Sequence, residues 1–157
     1  MVQNAFCNLA YDNVWGNFET VSLIGESEIL GMTLDKRYHY KFLWTSDNKI
    51  LVLDNDGNKI ILNPNNGSYD QSTKVNCIVQ DMDGELWIGT DKGIKVAYNI
   101  ADIFETNDGI TSTTECQNII YQENGIAQYL LNFENVTCMM IDGGNRKWVG
   151  TERNGIY

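Results

Sequence analysis

The 157-residue chain predicts an all-β fold of β-propeller blades, four-stranded antiparallel meanders in an incomplete ring of about three to four blades. Three observations predict it. A tryptophan-centred segment occurs twice, short apolar runs alternate with Asp, Asn and Gly turns, and no stretch carries helical periodicity beyond one turn near residues 100–104.

The repeat sets the unit. Val75, Cys77, Asp81, Trp87, Gly89 and Thr90 recur without a gap, 61 residues later, as Val136, Cys138, Asp142, Trp148, Gly150 and Thr151. A weaker copy runs from Gly31 through Asp35 to Trp44 and Thr45, and its tryptophan lies 43 residues before Trp87. Propeller blades recur at ~40–45 residues. The shorter spacing therefore reads as one plain blade and the longer as a blade with an insertion. The resulting division is an irregular first blade at 1–30, a blade at 31–74, a blade at 75–135 with an insertion at 99–118, and a truncated blade at 136–157.

Taken in order, residues 75–80 read as a strand, Asp81 to Gly84 as a turn, residues 86–90 as a second strand, and Asp91 to Gly93 as the turn into a third. Asp and Gly tolerate the left-handed backbone that tight hairpins demand, and similar punctuation returns from Asp54 to Gly57, from Glu123 to Gly125 and from Arg153 to Gly155. Residues 60–62 and 75–79 are apolar on both faces, as a blade stacked between two neighbours requires. Trp87 alternates with Leu86 and Ile88, so ring and aliphatics face opposite ways. Each repeat tryptophan is expected to fill an inter-blade gap, with Gly89 and Gly150 leaving room and Thr90 and Thr151 opening the exit turn. Residues 119–122 and 127–131 read as a hairpin, one arm of which is expected to be the outer strand of its blade. The chain stops inside the third strand of a unit. That predicts open faces and edges that pair with the remaining blades of a parent propeller, or with another copy.

Composition excludes several functions. A formal charge of -10 repels a nucleic-acid backbone, and no apolar run approaches the ~20 residues of a spanning helix. A single histidine, His39, rules out a His-based relay, and no phosphate loop is present. Cys7, Cys77, Cys116 and Cys138 lack metal-site spacing and read as free structural thiols, so neither metal nor cofactor is expected. Asp54 with Asp56, and Asp81 with Asp83, open like calcium loops. Their sixth positions are Lys59 and Leu86 and their twelfth Asn65 and Lys92, which cannot complete one. Asp81 and Asp142 recur with the repeat, whereas a catalytic pair would be unique, so each is expected to hold a turn through a structural hydrogen bond. The chain is expected not to be an enzyme.

The series V-x-C-I-x-x-D-x-x-G-x-x-W-I-G-T-x-x-G-I, from Val75 to Ile94, resembles the two-component regulator propeller repeat. Over its last third, at residues 125–131 and 136–151, the chain also resembles PorZ-like propellers of type IX secretion. Similar propellers form the periplasmic sensors of hybrid histidine kinases that read glycans. The resemblance implies a Gram-negative, Bacteroidota-type cell-envelope protein, at the outer-membrane surface or in the periplasm, whose partner is a protein or a cell-surface glycan. In a four-strand meander the second-to-third-strand turns lie at the same end as the blade-to-blade links. That end would gather Asp91, Lys92 and Arg153 near Tyr69 and Phe133, with the aromatics stacking a sugar ring and the polar groups binding its hydroxyls.

Overall fold

In the computed structural model, short apolar runs rich in β-branched residues become antiparallel strands between glycine and asparagine turns. The model describes residues 5–9, 18–22, 27–35, 37–62, 64, 73–104, 106–107, 110–111 and 115–157. Strands β1 (Ala5–Leu9) and β2 (Phe18–Ser22) pair as a hairpin. A four-stranded meander follows, from β3 (Ile29–Leu34) through β4 (Lys41–Thr45) and β5 (Ile50–Leu53) to β6 (Lys59–Leu62). The second meander contains β7 (Val75–Gln80), β8 (Leu86–Thr90) and β9 (Gly93–Ala97). After a single 3-10 turn at Ile100–Asp102, the chain forms a small hairpin of β10 (Thr106–Asn107) and β11 (Ile110–Thr111). It then returns as β12 (Cys116–Asn118), which pairs with β9. Next comes a separate hairpin, β13 (Ile120–Glu123) and β14 (Ile126–Tyr129), turned by Asn124 and Gly125, both at positive φ. Strands β15 (Val136–Ile141) and β16 (Lys147–Thr151) open the third unit, and a bridge from Gly150 to Ile156 starts its next strand.

The outer strand of the second meander is thus β12, inside the stretch expected to be insertion, and not an arm of the β13–β14 hairpin. Burial explains why. Cys116 is 5% exposed and completes the apolar layer, whereas every residue of β13 and β14 is exposed and offers that layer nothing.

Two apolar layers hold the units face to face. Phe42, Ile50, Val52 and Leu62 of the first meander pack on Val75, Ile78, Leu86 and Ile88 of the second. On the other face of the second meander, Cys77, Trp87, Ile94 and Val96 pack on Val136, Met139 and Val149 of the third. Trp87 therefore occupies an inter-unit gap opposite its neighbours Leu86 and Ile88, as the alternation requires. Among the described strands, β5 and β9, each interior to its sheet, are buried at every residue. Residues 60–62 sit on the outer edge, and Ile61 is 49% exposed.

Register corrects the alignment of the weakest repeat. A β-bulge follows the first pair of each unit: Ile29 faces Thr45 and Gly31 faces Trp44, just as Val75 faces Thr90 and Cys77 faces Gly89, and Val136 faces Thr151 and Cys138 faces Gly150. Trp44 is thus the counterpart of Gly89, and Phe42 is the counterpart of Trp87. Thr45 and Thr90 give the true spacing, 45 residues. One member of each bulge pair is glycine because the backbones leave no space for two side chains. A Cβ on Gly31 would overlap the Trp44 indole, and one on Gly89 or Gly150 would lie 2.5 Å from the Cys77 or Cys138 sulfur.

Candidate functional site

The repeat aspartates act at the end of the molecule that carries the first turn of each unit. One carboxylate oxygen of Asp81 accepts from the N–H groups of Asp83 at 3.0 Å and Glu85 at 2.9 Å, and the other accepts from the Trp87 indole at 3.1 Å. Asp142 repeats this arrangement with the N–H groups of Gly144 and Arg146, both within 3.0 Å, and the Trp148 indole at 3.0 Å. Each aspartate ties its own turn to its own tryptophan, which is why the two residue types recur together. Burial raises the Asp81 carboxyl, but Lys147, the Glu85 N–H and the Trp87 indole outweigh it and hold the pKa below the usual carboxylate value. The Trp148 indole, then the Arg146 N–H, hold Asp142 well below that range.

The first meander has no indole at the matching position, Phe42. Asp35 is fully buried and one oxygen accepts from the Tyr38 N–H, but Phe42 offers no donor and the other oxygen, Oδ1, has no hydrogen-bond partner among the described residues. The repeat threonine has one task in all three units: Thr45, Thr90 and Thr151 donate to the carbonyls of Lys49, Gly93 and Gly155 at 3.1, 2.9 and 3.1 Å, closing the second turn.

Asn145 and Lys147, which the repeat pattern does not contain, clamp the third unit to the second. The Asn145 amide accepts from the Met82 N–H at 2.9 Å and donates to Asp83 at 2.8 Å. The Lys147 ammonium lies 2.9 Å from Asp81 Oδ2 and 4.9 Å from the centre of the Trp87 ring. The signal was present in the sequence as a difference between copies, since the matching residues of the second unit are Gly84 and Leu86.

At the opposite end, the loops expected to form a binding face come together around Glu134 and Asn135. The Gly93 N–H donates to Glu134 O at 2.9 Å, the Glu152 N–H to Asn135 O at 2.9 Å, and the Asn154 amide to the Glu134 carboxylate at 2.6 Å. These bonds place Asp91, Lys92, Phe133 and Arg153 on neighbouring loops. Asp91 accepts from the Lys74 N–H at 2.8 Å and so anchors the entry to β7. Lys92 is exposed, Arg153 lies 4.0 Å from Glu152, and Phe133 is 92% exposed. Tyr69 lies outside the described residues. On the same end of the first meander, Asp47 pairs with Lys49 at 2.7 Å. Burial opposes ionisation there, but hydrogen bonds from Lys49, Thr45 and Ser27 bring its pKa down to about 2.

Sequence reasoning missed a cavity of about 780 Å³ at the first-turn end, where the inner strands β3, β7 and β15 converge; Asp35, Arg37, Gln80, Met82 and Met139 are among its walls. Its lining comes from three units, so no local pattern announces it. Among the described residues no cluster of His, Cys, Asp and Glu could hold a metal ion, and no helix is long and apolar enough to cross a membrane.

Residues 70–92 match the two component regulator propeller family model. No curated protein matches the chain significantly. Among solved structures, it is similar to PorZ, a bacterial surface component of the type-IX secretion system of Porphyromonas gingivalis, with a TM-score of 0.72 and 21% identity over 94% of this chain and 22% of that one. It is also similar to the extracellular domain of a protein described as a hybrid two component system of B. thetaiotaomicron, with a TM-score of 0.58 and 18% identity over 90% of this chain and 17% of that one. The chain spans about a fifth of the length of these structures. Its fold is a set of propeller blades, and residues 70–92 carry the two component regulator propeller repeat.

Proposed function

We propose that the chain is a non-enzymatic propeller module of a bacterial cell envelope, part of a PorZ-like type IX secretion component, whose Glu134–Asn135 loop face binds a protein or a surface glycan. The observation that carries this reading is Phe133. A phenylalanine 92% exposed on loops cross-tied by three hydrogen bonds is an aromatic platform, and the neighbouring loops at the same end carry carboxylate, ammonium and guanidinium groups. Stacking on its ring and hydrogen bonds to the flanking polar groups would orient a sugar. The likeness to PorZ and the charge of -10 support an extracytoplasmic surface and disfavour nucleic acid. The likeness to the hybrid two component system supports a second reading, an oligosaccharide sensor.

A glycan array followed by calorimetry on its hits tests the proposal. Phe133→Ala is expected to weaken binding at least tenfold while leaving the melting temperature unchanged. Binding that survives both Phe133→Ala and Arg153→Ala moves the site elsewhere, and release of new reducing ends from a bound glycan refutes the non-enzymatic assignment.

A further inference from the structure

Two equivalent Asp–Trp pairs differ in what lies on them. Asp81 and Trp87 are covered by the next unit, which supplies Lys147 to both carboxylate and ring and Asn145 to the adjoining turn. Asp142 and Trp148 face outward, with Trp148 43%, Met140 58% and Ile156 74% exposed. The cation on this second pair comes from the same turn: Arg146 Nε lies 2.7 Å from Asp142 Oδ2, and its guanidinium lies 5.9 Å from the centre of the Trp148 ring. At the preceding interface both halves of the arrangement are missing. Phe42 replaces the tryptophan beside Asp35, and the facing unit carries Gly84 and Leu86 in place of asparagine and lysine. Across these two interfaces the aspartate is constant, while the tryptophan and its facing asparagine and lysine are present together or absent together.

We infer that the Asp142–Trp148 face is a docking surface for a further strand pair of this same repeat, one carrying asparagine in its first turn and lysine two residues later. That lysine takes over the position of Arg146. The established interface between the second and third units is the template, and the charges are complementary, since an ammonium meets a carboxylate beside the negative face of an indole. A unit meant to face water carries polar residues on its outer face, whereas this one presents methionine, tryptophan and isoleucine. Arg146, with its side chain 74% exposed, holds the carboxylate as a placeholder that can swing away.

The test continues the chain after Arg153 with a second copy of residues 93–157, which keeps the 61-residue repeat and sets a second asparagine–lysine pair opposite Asp142 and Trp148. A parallel extension carries Asn145→Gly and Lys147→Leu in the appended copy. Acrylamide quenching of Trp148, isolated by difference from Trp148→Phe variants, reads its accessibility, and fluorine NMR of 5-fluorotryptophan-labelled protein reads it without substitution. The first extension is expected to cut quenching of Trp148 several-fold and the second to leave it near the parent value, with Asp142→Asn erasing the difference. Equal protection by both extensions, no protection by either, or unfolding of the first extension while the parent chain stays folded would each overturn the inference.

Discussion

Replacing Asp81 with asparagine takes one charge out of a buried pair and leaves the other in place. The Asp81 side chain is 0% exposed and that of Lys147 is 22% exposed, with 2.9 Å between the charged atoms. Removing one partner of a buried pair costs about 3–5 kcal/mol. Lys147 keeps a fifth of its surface in water and can partly rehydrate, which places the loss near the lower end, about 3 kcal/mol. The amide oxygen can still serve the turn N–H groups, but its NH₂ then meets the indole N–H and the ammonium, donor against donor. At about 2–4 °C per kcal/mol for a chain of this size, the melting temperature falls by about 6–12 °C. Asp142→Asn is the internal control: its cation, Arg146, is already in water, so its loss is much smaller. Both carboxyls have folded pKa values below their unfolded ones. Their stabilisation is therefore complete above about pH 4 and disappears as pH falls through the folded values. Urea titrations at pH 7 and pH 3 should show a smaller acid loss for Asp81→Asn than for the parent. Lys147→Met combined with Asp81→Asn should cost less than the two single changes added together. Equal losses for Asp81→Asn and Asp142→Asn, or strict additivity with Lys147→Met, would refute the reasoning.

Gly89→Ala should cost about 1–3 kcal/mol by chemical denaturation, because the new methyl lands 2.5 Å from Cys77 Sγ and 2.7 Å from Val136 Cγ1; Cys77→Gly in the same chain should recover part of it. Phe42→Trp offers Asp35 Oδ1 an indole donor, so a double-mutant cycle with Asp35→Ala should give a favourable coupling of about 1 kcal/mol. In a Cys7→Ser background, a thiol reagent at pH 8 should modify exposed Cys138 within minutes. Cys77 and Cys116, whose thiols burial pushes up to about 11 and about 12, should react only on unfolding, as peptide mapping would reveal.

Strand positions and turns were legible because they depend on near neighbours. Asn124 with Gly125 and Gly93 are turn residues wherever they occur in such a hairpin, and the alternation of Leu86, Trp87 and Ile88 forces opposite faces. The return of the chain as β12 was not legible, because three residues beginning at Cys116 carry no pattern until β9 is beside them. Trp44 misled for a related reason. A tryptophan is conspicuous, but the register that identifies its counterpart is set by the pairing of Gly31 across the bulge. That Asp91, Lys92, Phe133 and Arg153 lie on loops at one end follows from strand order alone. Asn145 and Lys147 could not, since their partners Met82, Asp83 and Asp81 lie on a turn some 60 residues earlier.

The glycine beside each bulge has a consequence for how such units diverge. What is preserved is a shared vacancy between two backbones, and either strand can supply it: the inner strand does so at Gly31, the second strand at Gly89 and Gly150. Two substitutions made in concert can move the bulky partner from one side to the other with no change in the path of the chain, while either alone leaves a clash or a hole. Relatives ranked by the position of their most visible aromatic would then be offset by two residues, although their backbones superimpose.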